Sequence, residues 1–129
     1  MAIPELERKE IKKRLKFLEN LGYTIIREDS YVMEYQLNNI CIIIGYPPRE
    51  ELSSITIKFI RENKCFDVGW IAVVRKNIYT NQCSKLEGVL SLLMYIKENY
   101  DEITNFSYCR DSDILIDEFI DNISQRNNL

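Results

Sequence analysis

The sequence predicts an α+β fold: an antiparallel sheet of about five strands, with an N-terminal helix and two C-terminal helices packed on it. Three observations carry that expectation. Apolar residues near the N-terminus recur at helical spacing, those between residues 23 and 76 alternate at strand spacing, and helical spacing returns at Ser84. Helices segregated from a run of strands form a layer on one face of a sheet. At 129 residues the chain is expected to be one domain, 1–129, with one substantial core.

The first helix is predicted to open at Pro4, whose missing N–H costs nothing in a first turn. Leu6, Ile11, Leu15, Leu18 and Leu21 follow roughly one face. Gly22 ends the helix because it accepts the left-handed conformation, and Tyr23 can fold back onto Leu18. Strands are then predicted over 23–28, closed by Asp29 and Ser30, and over 31–37, where Val32, Glu34 and Gln36 alternate against Tyr31, Met33, Tyr35 and Leu37. Asn38 and Asn39 supply a tight turn, since Asn tolerates positive φ. Residues 40–45 are apolar on both faces, which places that strand centrally, and Pro47 and Pro48 end it. The polar stretch 49–52 leads to a fourth strand over 54–61, and Asn63 and Lys64 turn the chain into a fifth over 65–74. Connections this short favour antiparallel pairing.

Ser84, Lys85, Leu86 and Glu87 match a capping box above a stripe of Leu86, Val89, Leu90, Leu93 and Ile96. Residues 101–110 read either as a sixth strand over 103–108 or as an irregular link. A last helix is expected to start after Asp111 or Ser112 and to run to Gln125. It would bury Leu115, Phe119 and Ile123, with Ile116 or Ile120 flanking and 126–129 frayed. Trp70, beside Gly69, is expected in the core at a bulge or bend.

The chemistry available to this chain is narrow. It has no histidine, so Ser–His and Cys–His activation and imidazole ligation are excluded. Its four glycines form no phosphate-cradling loop. Cys41, Cys65, Cys83 and Cys109 are scattered without a C-x-x-C pair, which argues against zinc and for reduced thiols acting as small hydrophobes. Cys83 precedes a helix N-terminus and is the least inert of the four. An acidic start without an apolar h-region, and no run of membrane-spanning length, predict a cytoplasmic chain.

Charge is distributed unevenly. Arg8, Lys9, Lys12, Lys13, Arg14 and Lys16, against Glu10 alone, give residues 8–16 a net charge of +5. That face could track a nucleic-acid backbone, but in a chain of net charge −3 a solvated helix face is the preferred reading. Beyond Lys85, nine acids oppose Lys97, Arg110 and Arg126. The densest group is Asp111, Asp113, Asp117, Glu118 and Asp121. It could hold a divalent cation, but it lacks any motif spacing and reads better as a helix cap and a solvated face. An acidic surface also steers a basic protein partner. Eight tyrosines add interface-prone area, since Tyr buries a large surface at low entropic cost.

The helix–strands–helix order, the acidic stretch from Glu98 to Asp121 and the missing catalytic equipment resemble the immunity proteins of bacterial polymorphic and contact-dependent toxin systems. The resemblance is one of architecture. It implies a cytoplasmic protein that neutralises a cognate protein toxin, a basic nuclease for example, by stoichiometric binding as a monomer or weak homodimer. The residues assigned to that contact are Tyr100, Asp101, Glu102, Tyr108, Asp111, Asp113, Asp117, Glu118 and Asp121. No catalytic residue, metal ligand, cofactor, nucleic acid or membrane is assigned. The chain is also similar to type III secretion chaperones, which place a helix between their third and fourth strands where this sequence has Pro47, Pro48 and a short polar stretch. An enzyme using carboxylates or Cys83 is the third reading.

Overall fold

The computed structural model describes residues 3–47, 53–81 and 83–127. Its elements run α1 (Glu5–Leu21), β1 (Thr24–Glu28), β2 (Val32–Leu37), β3 (Ile40–Gly45), β4 (Ser54–Phe59), β5 (Lys64–Asp67), α2 (Val68–Lys76), α3 (Lys85–Glu98), α4 (Tyr100–Ile103) and α5 (Phe106–Asn127). The five strands form one antiparallel sheet in sequence order, β1-β2-β3-β4-β5. The α+β class, the N-terminal helix and the C-terminal helices are as the sequence predicts, and β3 is the central strand. The predicted stretch 49–52, Pro48 and the end of the tail lie outside the described residues.

Register explains the core. Met33, Ile44 and Ile55 stand side by side on neighbouring strands, as do Tyr35, Ile42, Ile57 and Phe66. All seven are buried, and they form one cluster with Ile11, Leu15 and Leu18 of α1 and with Val89, Leu93 and Ile96 of α3. Strand residues of the opposite parity, including Glu34, Gln36, Thr56 and Lys58, make the outer face. Asn38 (φ 52) and Asn63 (φ 50) adopt the positive φ that their hairpin turns demand.

α1 ends as its sequence requires. Gly22 is left-handed (φ 108), its N–H donates to the Glu19 carbonyl, and the Tyr23 N–H donates to the Leu18 carbonyl. That pair of bonds satisfies carbonyls the helix leaves free. Pro4 stands one place before the helix rather than inside it. Leu6 is 79% exposed and Leu21 is exposed too, so the buried stripe is only Ile11, Leu15 and Leu18. The N-terminal end of α1 is fastened by Arg8, which donates to Glu28 Oε1 (3.0 Å) and to the Asp29 carbonyl (2.9 Å), while Lys12 also pairs with Glu28. Lys12 first, then Arg8, hold the Glu28 carboxyl below its ordinary range. A depressed carboxylate stabilises the fold above its unfolded pKa, and that contribution is lost as pH falls through the folded value. Glu28→Gln is therefore expected to lower the thermal midpoint at neutral pH and to match the parent at about pH 2–3; a constant difference across that range would contradict it.

Two elements differ from expectation. The predicted fifth strand over 65–74 stops at Asp67, and α2 begins there. Asp67 Oδ1 accepts the Trp70 N–H (3.1 Å) as an N-cap, and Val68, Ile71 and Ala72 are buried on one helical face. Residues 101–110, expected to be a sixth strand or an irregular link, hold no strand and a link of Thr104 and Asn105 alone. The rest belong to the single turn of α4 and the start of α5, where Asn105 Oδ1 accepts the Tyr108 N–H (3.2 Å). The last helix thus starts at Phe106, not after Asp111 or Ser112, and neither of those residues caps it. Phe106 meets Phe59 and Phe66 edge-on, with centroids 5.4 and 5.8 Å apart, which anchors α5 at the β4–β5 end of the sheet. Ser84 Oγ accepts the Glu87 N–H (3.2 Å) at the head of α3, as its box predicts.

The four thiols are all free, Cys41 and Cys109 buried, Cys65 and Cys83 exposed. Cys109 donates to the Ile103 carbonyl (3.2 Å), and burial pushes its pKa up to about 12. Titration with a thiol reagent at neutral pH is expected to show fast reaction at Cys65 and Cys83 only, with Cys41 and Cys109 joining on denaturation. Four equally fast thiols in the native protein would contradict the burial.

Candidate partner-binding surface on α2 and α5

α2 and α5 pack antiparallel, with Trp70 facing Phe119 (centroids 6.1 Å) and Arg75 facing Tyr108 and Ser112. Arg75 is the pin between them. Its Nε donates to Ser112 Oγ (2.9 Å), its Nη2 donates to the Tyr108 carbonyl (3.2 Å), and its guanidinium lies 4.3 Å from the centre of the Tyr108 ring. Ser112, fully buried, also donates from its hydroxyl to the Tyr108 carbonyl (2.6 Å). The Tyr108 hydroxyl hydrogen-bonds that of Tyr95 (2.9 Å), tying α5 to α3.

This geometry distributes the residues expected at the contact. Tyr108 is half-buried in the Arg75 network. Tyr100 is half-buried, its hydroxyl 2.6 Å from that of Tyr23. Both hydroxyls are therefore used inside the molecule. Asp101 and Glu102 are exposed on α4, at the N-terminal end of α5. Asp111, Asp113, Asp117, Glu118 and Asp121 are all exposed along α5. At 1.5 Å per residue, the row from Asp111 to Asp121 is about 15 Å long. Asp113, Asp117 and Asp121 recur at i, i+4 on one flank, while Asp111 and Glu118 share the other, where Arg110 reaches Asp111 (3.4 Å). Desolvation, then the charge of Asp117, raise the Asp113 pKa, and Lys64 opposes them. The acids are thus spread over two flanks of a helix and do not converge on a point. Among the described residues, no group of three or more Cys, Asp or Glu side chains could hold a metal.

Sequence reasoning missed the apolar part of this surface. Trp70, expected in the core at a bulge, is 40% exposed; the bulge lies in β1, between Ile25 and Arg27. Trp70 and Tyr79, the latter 52% exposed, border a cleft of about 500 Å³ between α2, the start of β4 and the C-terminal half of α5. Phe119 and Ile123 close its far side, and Ile123, expected to be buried, is 40% exposed. Ile120, also exposed, lies between Ile123 and the row of Asp113, Asp117 and Asp121. An aromatic and aliphatic band therefore runs directly into an acidic flank. A surface of that composition suits a protein partner with apolar anchors and basic neighbours. The only sequence signal for it was an apolar stripe on the last helix too wide for α2 alone to cover.

No helix among the described residues is long and apolar enough to cross a membrane. Comparison with protein families, with curated proteins and with solved structures finds no significant match to this chain.

Proposed function

We propose that this protein is a cytoplasmic binding protein that neutralises a protein toxin by forming a stoichiometric complex, in the manner of bacterial immunity proteins. One observation supports the reading above others: a band of exposed Trp70, Tyr79, Ile120 and Ile123 with half-buried Phe119 lies against the acidic flank of α5. Large apolar side chains left at a surface are unfavourable in a solitary protein and favourable where a partner covers them. Trp and Tyr supply the buried anchors of such contacts, and the carboxylates select a basic partner and speed its approach. A nuclease cleft lined by Lys and Arg has the matching chemistry.

The test begins with the tagged full chain, used to capture partners from its native host. The captured protein must then lose its own activity on titration, with the end point at one equivalent. A captured protein that keeps full activity beside an excess of the chain would count against neutralisation. A catalytic activity of the pure chain itself would move the function to a different class.

A further inference from the structure

Lys9 aside, the cations of α1 fall into two sets. Arg8 and Lys12 face β1 and share the carboxylate of Glu28. Lys13, Arg14 and Lys16 line a cleft between α1 and α3, where Lys97 of α3 joins them. None of these four has a carboxylate within 4 Å among the described residues. Helix packing has therefore gathered four cations around one cleft, with Glu98 the one carboxylate among the described residues of its lining. The apolar contacts of the α1–α3 seam hold the arrangement in place, because Leu15 and Leu18 of α1 and Leu93 and Ile96 of α3 belong to the one core.

The cleft measures about 610 Å³. Its lining also includes Asn20, Glu98, the half-buried Phe17 and Met94, which is 49% exposed. A concave site lined by cations focuses its field on the space between its walls. Arg and Lys together suit phosphate: the guanidinium binds two oxygens at once, and the ammoniums act as point charges. The size of the anion follows from the surroundings. A long polyanion would extend beyond the four cations into the field of a chain whose net charge is −3. A compact one stays within about 8 Å, one Debye length, of all four cations. Phe17 and Met94 in the lining give a flat organic group something to lie on.

We infer that the α1–α3 cleft binds a small organic oligophosphate, with two or more phosphates on Lys13, Arg14, Lys16 and Lys97 and an attached planar group against Phe17 and Met94. A nucleoside triphosphate has this chemistry. The site is separate from the α2–α5 surface and does not depend on the toxin reading.

Calorimetry of the full chain with ATP and with inorganic tripolyphosphate, at physiological salt, tests it. ATP is expected to bind with a Kd of about 10–100 μM, and tripolyphosphate about tenfold more weakly. The Lys16→Gln/Lys97→Gln pair, both exposed and without an ion pair among the described residues, is expected to weaken both ligands at least about tenfold. Met94→Ala should weaken ATP alone, and Lys76→Gln on α2 should change neither. Absence of saturable binding at about 5 mM ligand, or unchanged binding in the double variant, would overturn the site. Equal affinity for ATP and tripolyphosphate would overturn the assignment of the organic group. A single-stranded oligonucleotide that displaces ATP and binds more tightly would overturn the compact ligand in favour of a nucleic-acid track.

Discussion

Reversing Asp117, Glu118 and Asp121 to Lys is expected to weaken toxin binding by at least about 100-fold, close to 1 kcal/mol for each position. The three side chains are exposed on α5, and the change replaces three negative charges with three positive ones, which the basic partner proposed above would repel. Most of the loss should appear in the association rate at low salt and shrink as salt is added, because exposed charges act mainly by steering. Trp70→Ala should behave differently. Its ring is an anchor beside Phe119, so its removal should raise the dissociation rate at least about tenfold with little salt dependence. Neither change should unfold the protein. Reversal relieves the Asp113–Asp117 repulsion at i, i+4, a small gain of about 0.2–0.5 kcal/mol. Measured rate constants for the parent and both variants at two salt concentrations separate these effects. Equal salt dependence in all three would contradict the division between steering flank and apolar anchor.

Arg75→Ala is expected to cost about 2–3 kcal/mol of folding stability, the largest effect of any polar side chain described above. The guanidinium makes two hydrogen bonds to α5 and lies over the Tyr108 ring. Truncation removes all three contacts and leaves buried Ser112 with only its bond to the Tyr108 carbonyl. Arg75→Lys should recover less than half of the loss, since one ammonium cannot reproduce the fork. Ser112→Ala should cost about 1 kcal/mol alone and less in the Arg75→Ala background, because only one of its two bonds is to Arg75. Urea unfolding of the four proteins closes the cycle; additive losses would show that Arg75 and Ser112 do not act together. A partner-binding defect in Arg75→Ala would follow from loosened α2–α5 packing.

The sheet was legible in the sequence because its signals were local. Asn38 and Asn63 mark turns, Gly22 marks a helix end, and residues 40–45 carry apolar side chains on both faces as a central strand does. α2 was not legible by the same means. Val68, Trp70, Ile71, Val73 and Val74 are strand formers by propensity, and burial against α5 and β4 overrides that preference. The spacing of Val68, Ile71, Ala72 and Arg75, together with a capping-competent Asp67, was the available helical signal. The start of α5 was hidden for a related reason. Asp111 and Ser112 resemble a cap, but Asn105 fills that role, and Ser112 turns inward to meet an arginine 37 positions away. Side chains that join distant elements leave no local trace. The acidic half of the candidate surface could be read from composition. Its apolar half could not, because the exposure of Trp70 and Ile123 depends on how far α5 extends beyond α2.

Hydrogen exchange of the purified complex, compared with that of the free chain, reads the contact surface directly. Protection concentrated in residues 67–81 and in the C-terminal half of α5, with the outer face of the sheet unchanged, is the expected result. Protection confined to the sheet face or to α1, with α2 and α5 exchanging as in the free chain, would contradict it.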